Sequence, residues 1–296
     1  MFFSYQTLMY YPLSLSAFVA LTLSFICLYV FKNYFVRVGF FLAAIVLGII
    51  AGHVELLGLG LILLFGALFY LSYHAKNKWV RRSLFIIVLS CSLAIMLAPV
   101  PGINNWQIVQ LYITEDAIPY TMRFTFDKAL IGLFFIWFSV YTLANEGQWK
   151  RVLKVGSLCG LAAIAVLLPL SFALGYVKFD LKLTPFFYLW ALNNLIFVSI
   201  AEEAIFRGMI QQSLMNVWQN YAIGKWLALV ISAMLFGAVH YKGGSKYMVL
   251  AGVAGLLYGY AYMKTRKIEA SILTHFMVNS VHFVFFTYPA LASAFE

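Results

Sequence analysis

Charge is what this sequence has least of. Only 10% of its 296 residues are Asp, Glu, Lys or Arg, against about 25% in a soluble domain, which excludes an ordinary soluble fold. Cysteine is nearly as scarce. Cys27, Cys91 and Cys159 each lie inside an apolar run without metal-ligand spacing, so they are expected to be buried small hydrophobes. A charged leader is missing at Met1, Phe2, Phe3 and Ser4, and no small-residue cleavage site follows the first apolar run. That run therefore reads as a retained span. Strict apolar-polar alternation is missing as well, which excludes a membrane barrel. There is no repeat of fixed period and no low-complexity tract.

What fills the chain is hydrophobic, 64% of residues with a mean hydropathy of +0.91. A spanning helix needs roughly 20 mostly apolar residues. Such runs are expected near residues 13 to 31, 37 to 52, 56 to 74, 83 to 100, 129 to 145, 155 to 176, 186 to 206, 226 to 241, 247 to 263 and 269 to 288. The fold class is thus all-α, a polytopic transmembrane helical bundle of about ten spans (range 8–10), the second and third being least separable. Lys32 and Arg37, then Lys76, Lys78, Arg81 and Arg82, then Lys150, Arg151 and Lys154, then Arg207 and Lys225, then Lys264, Arg266 and Lys267 fall in alternate loops. Those loops are expected on the cytoplasmic side, with both termini outside. The opposite loops, with His53, Glu55, Glu115 and Asp116, are poorer in Lys and Arg. The net charge of +10 then reports orientation in a lipid bilayer, and nucleic acid is excluded as a partner. Residues 101 to 127 suit an interfacial loop anchored by Trp106, Tyr112 and Tyr120.

Up to about Pro185 ionisable residues keep mainly to loops; beyond it they enter the spans. A charge inside a spanning helix costs about 2.5–3.5 kcal/mol on insertion scales, so each one points to function. Glu202 and Glu203 precede Arg207 on a very apolar stretch. On a helix Glu203 and Arg207 face each other, while Glu202 is turned about 100° away. One carboxylate is then neutralised and the other left available, suited in a low-dielectric site to take a proton from water and return it. The plain alternative is that both pair with Arg207 at a helix end. Phe236 and His240 form a second pair four residues apart, with His240 equally readable as an interfacial residue. His275 and Asn279 share one face of the last helix. Their donors suit an oxyanion, and equally a metal or a bond between helices. His282, two turns on, is expected to be a bystander. Ala251, Gly255 and Gly259 make a small-residue stripe for close helix packing, which would draw His240 and His275 together.

In chain order, Glu202-Glu203 with Arg207, Phe236 with His240, and His275 with Asn279 resemble the EExxxR, FxxxH and HxxxN motifs of the CAAX-protease and bacteriocin-processing family, also called the ABI family. The likeness covers about residues 186 to 285. It implies an intramembrane glutamic endopeptidase, with residues 1 to 180 as a variable transmembrane scaffold and 181 to 296 as the catalytic membrane domain. By motif, Glu202 with His240 would activate a water, His275 and Asn279 would stabilise the oxyanion, Glu203 and Arg207 would brace the site, and Phe236 would pack beside it. Family members have also been argued to use zinc, held by a Glu and two His. No HExxH pair is present here, so a reaction without cofactor ranks first and zinc second. The resemblance implies a peptide or membrane-protein substrate, and the compact loops point to a bacterial cytoplasmic membrane.

Two other classes stay open. One is a non-proteolytic immunity or partner-stabilising protein, in which these polar residues pair helices. The other is a proton-coupled transporter, for which inverted repeats and paired interrupted helices are missing. The expected topology also contains a conflict. A helix ending at Arg207 leaves Glu202 near the cytoplasmic face, whereas His240, 15 residues along from Lys225, lies near the far one. A helix continuing through Gln211 and Gln212 removes it.

Overall fold

A computed structural model describes residues 6–139 and 143–295; the start at residues 1 to 4, read above as leader-free, lies outside them. Each of the ten expected apolar runs carries a helix, the run near 129 to 145 continuing past its helix into residues 140–142, outside those described: α1 (Pro12–Val30), α2 (Tyr34–Ile50), α3 (Leu56–His74), α4 (Lys78–Leu97), α5 (Phe126–Phe138), α6 (Trp149–Ala173), α7 (Phe186–Val217), α8 (Gly224–Val239), α9 (Gly244–Thr265) and α10 (Ile268–Phe285). The fold class is an all-α polytopic bundle. Among the described residues, however, fewer than ten helices have the length and hydropathy to cross a membrane. Six do so alone, and α8 with α9 only jointly, across the break at Tyr241–Gly243. The 17 residues of α2 and 13 of α5 fall short.

The chain divides into two compact units. The first comprises Met1–Val109, Thr121–Val140 and Ile196–Ala201. Two of its helices start where the side-chain oxygen of the N-cap residue satisfies free backbone N–H groups. Asn33 accepts from Phe35 N at 2.9 Å to open α2, and Asn77 from Trp79 N at 2.9 Å to open α4. Phe18 is the hub of an aromatic core, with Phe124 and Phe126 at 5.4 and 5.6 Å between centroids. His53 ties α1 to the following loops through Ser14 Oγ at 2.8 Å and the Asn104 carbonyl at 2.7 Å. Asp127 is buried, accepting from Val100 N and Lys128 N at the first turn of α5. Residues 101 to 127 are more ordered than an interfacial loop: they hold a two-stranded sheet, β1 (Trp106–Leu111) and β2 (Tyr120–Phe124). Among the cysteines only Cys27 is buried. Cys91 and Cys159 are half-buried, because α4 and α6 leave much of their surface outside the protein core.

The second unit comprises Gln110–Tyr120, Tyr141–Leu195 and Glu202–Glu296, and so takes in α6 as well as α8, α9 and α10. Small residues set its packing. A Cβ at Gly237 would meet the Met248 carbonyl at 2.7 Å, one at Gly255 the Ala233 Cα at 3.0 Å, and one at Gly259 the Leu229 side chain at 2.5 Å. These pairs run in opposite directions along the chain, so α8 and α9 lie antiparallel in close contact, as the small-residue stripe predicts. On α6, Gly156 accepts from Thr274 Oγ1 at 3.0 Å, drawing α10 against it. The segment after α6 is laced to the one after α10: Asp180 N donates to Phe285 O, Thr287 N to Lys178 O and Leu291 N to Tyr176 O, at 2.8 to 3.0 Å.

Candidate active site

The site begins with the winding of α7. Its central α turn, Ile200–Glu203, lies between two π-helical stretches, Asn194–Ser199 and Ala204–Gln211. Such wide turns cost hydrogen-bond geometry and recur at functional sites. The helix does not stop at Arg207; it runs on to Val217. That resolves the conflict in depth. Fifteen residues separate Glu202 from Val217 and fifteen separate Lys225 from His240, about 22 Å in each helix, so the two side chains reach the same level.

Glu203 and Arg207 are both fully buried, with Arg207 Nε 3.0 Å from Glu203 Oε2. Such a pair is held because desolvated charge must be matched nearby. The guanidinium has further partners: Nη1 donates to Ser232 Oγ at 3.2 Å, and Cζ sits 4.9 Å from the Phe236 ring and 6.0 Å from that of Tyr258. Ser232 Oγ in turn donates to the Phe206 carbonyl at 2.7 Å. Glu203 uses its other oxygen on His275, with Nδ1 to Oε1 at 3.0 Å. One carboxylate thus orders both a cation and an imidazole.

Glu202 has neither partner. Its Oε2 is 4.0 Å from His240 Nε2 and 4.0 Å from His275 Nε2. His240 caps the end of α8 and its Nδ1 lies 2.6 Å from the Phe236 carbonyl. A carbonyl only accepts, so Nδ1 carries the proton and Nε2 turns its lone pair toward Glu202. Phe236 packs at 4.7 Å from His240 and, edge-on, 5.9 Å from His275. Asn279 donates from Nδ2 to Asn194 Oδ1 at 3.2 Å. The structure therefore gathers Glu202, Glu203, Arg207, Phe236, His240, His275 and Asn279 in one unit of the chain.

A cavity of about 80 Å³ opens beside them, lined by His240, His275 and Asn279 together with Leu167, Val177 and Leu250. His282, expected as a bystander, lines it too, its Nε2 3.1 Å from the Thr287 carbonyl. Several residues carry no motif and were not foreseen. Tyr258 stacks on His275 at 4.6 Å and 18°. Tyr247 stands edge-on to His240 at 5.2 Å and stacks on Tyr176 at 5.5 Å. Tyr176 itself also lines the cavity. Tyr258 lies within the glycine-rich stretch, whose spacing marks only its small residues; Asn194 and Ser232 sit at spacings that mark nothing.

The donor set bears on the zinc reading. Ligands about 2.0–2.1 Å from a tetrahedral ion stand roughly 3.3 Å apart, closer than the 4.0 Å separations from Glu202 to each histidine. Among the described residues no group of three His, Cys, Asp or Glu side chains is placed to hold a metal ion.

Fold and site define a class: an integral membrane protein of the helical-bundle type with a carboxylate and two imidazoles facing one another between apolar helices. Residues 184–281 match the family model described as Rce1-like, type II CAAX prenyl endopeptidase, and the resemblance carried by the three motifs holds at the level of that family. No curated protein and no solved structure matches the chain.

Proposed function

We propose that this protein is an intramembrane endopeptidase that hydrolyses a peptide bond of a peptide or membrane-protein substrate through water activated by Glu202 and His240, without a metal. The observation that carries the reading is the pair of 4.0 Å gaps from Glu202 Oε2 to the two Nε2 atoms. Each is too long for a direct hydrogen bond and fits one bridging water with bonds of about 2.8 Å. Such a water donates one hydrogen to Glu202 and one to His240 Nε2, leaving an oxygen lone pair for a carbonyl carbon. Glu202 takes the proton as the C–O bond forms. It returns that proton to the amide nitrogen as the C–N bond breaks.

His275 and Asn279 are the donors for the tetrahedral oxyanion. Glu203 holds His275 through Nδ1, so that in its protonated form Nε2–H is the free donor, and Asn279 keeps a second N–H beyond the one given to Asn194. Glu203, Arg207 and Phe236 act through these groups rather than on substrate. The cellular site proposed is a bacterial cytoplasmic membrane.

The test compares membranes carrying wild-type, Glu202→Ala and His240→Ala protein by proteomics. Both variants are expected to fold and insert, to lose about 10²–10⁴-fold in turnover, and to accumulate uncut precursors. Normal processing by both would sink the proposal and leave the cluster as a helix-pairing device.

A further inference from the structure

A second site lies away from the catalytic one. The turn joining α7 to α8 and the end of α9 enclose a cleft of about 650 Å³, lined among others by Trp218, Asn220, Tyr221, Lys225, Met263 and Arg266. Its charge is of one sign: no carboxylate lines it. Neither cation is neutralised among the described residues, since the Lys225 side chain has no ion pair or hydrogen bond there and Arg266 Nη1 reaches only Met215 Sδ at 3.0 Å. The backbone at Arg266 is also costly. It is the one non-glycine residue with positive φ among those described, at 59°, capping α9 in the left-handed conformation where glycine is the usual occupant. Keeping arginine there retains a side chain at the expense of strain, which is the pattern of a residue held for what it contacts.

The cleft sits where three apolar helices end, at Val217, Gly224 and Thr265. The ends of apolar spans are expected at headgroup depth, where Trp and Tyr, here Trp218 and Tyr221, settle. We propose that this cleft binds a phosphate anion, with Lys225 and Arg266 as its charge partners, Asn220 as a neutral donor, and the headgroup of an anionic phospholipid as its source. The site is independent of peptide hydrolysis.

The test uses the purified full-length chain in neutral detergent, titrated with phosphatidylglycerol, phosphatidylcholine or glycerol 3-phosphate, and reads bound adducts by native mass spectrometry alongside the melting temperature. Phosphatidylglycerol should bind one-to-one and raise the melting temperature, and phosphatidylcholine should do neither. The double variant Lys225→Gln/Arg266→Gln should lose about thirtyfold in affinity, and Lys225→Gln alone, which leaves the strained backbone untouched, about fivefold. Lys76→Gln/Lys78→Gln, which removes two cations elsewhere, should bind like wild type. Glycerol 3-phosphate binding as tightly as the lipid assigns the anion site to a soluble phosphate; weaker binding assigns it to the headgroup. Undiminished phosphatidylglycerol binding in the double variant, or equal loss in the Lys76/Lys78 variant, overturns the site.

Discussion

Two helices of this protein, α4 and α7, are both long and apolar enough to cross a membrane. Yet only 11% of the apolar stretch of the first is buried and 78% of that of the second. In α4 the charges Lys78, Arg81 and Arg82 stay in the first turns, and Arg82 rests 5.4 Å from the Trp79 ring. In α7 the charges stand mid-helix, and Glu203, Arg207 and Gln211 are fully buried. Apolar content tells that a helix enters lipid. Where its polar residues sit tells whether protein then encloses it, because an unmatched charge facing hydrocarbon is far costlier than one held by partners.

The sharpest way to break that contrast is to remove one cation from each helix. Arg207→Met strands Glu203 in the core and should cost about 3–5 kcal/mol, whereas Arg82→Gln should change stability by no more than about 0.5 kcal/mol. Melting of the two purified variants decides it; equal shifts would mean that burial of the pair carries no weight. A smaller effect is expected at Gly237→Ala, where the added methyl meets the Met248 carbonyl at 2.7 Å. Prising α8 from α9 should cost about 1–3 kcal/mol and lower cleavage as His240 shifts, measured as melting and turnover on the same preparation.

The smallest effect concerns acid. Burial alone would raise the Asp180 carboxyl, but hydrogen bonds from Thr114 and Lys182, with the charges of Lys182 and Lys178, hold it below its ordinary 3.8. The folded value is thus lower than the unfolded one, so its contribution is complete above 3.8 and lost as pH falls through the folded value. Wild type should show an acid-dependent drop in melting temperature below pH 3.8 that Asp180→Asn lacks. Identical acid profiles would show that the laced segment beside the cavity does not depend on this carboxylate.

Much of this architecture was legible in the amino acids. Ten apolar runs mark ten helices, because backbone in lipid has no other way to satisfy itself. The seven site residues stood out because charge and imidazole are expensive where they lie. Helix ends were harder. Arg207 reads as a boundary by charge, and its burial against Ser232 and Phe236 of α8, a tertiary fact about a buried ion, lets α7 pass through it to Val217. The strands Trp106–Leu111 and Tyr120–Phe124 were hidden for the opposite reason, as short segments whose aromatics fit a membrane interface equally well. Asn194, Ser232 and Tyr258 were invisible because their roles come from contacts between helices and leave no spacing behind.

The π-helical stretches of α7 carry one consequence for how this span tolerates change. A wide turn holds an extra residue relative to an α turn, so an insertion or deletion within Ala204–Gln211 changes which residues fall inside the wide turn, and one that the winding does not absorb swings everything after it by about 100°. Hydropathy would hardly alter, and the span would still insert. Insertions and deletions, harmless in most surface connections, are thus barred from this stretch, where residue count itself sets the phase between the carboxylates and their partners.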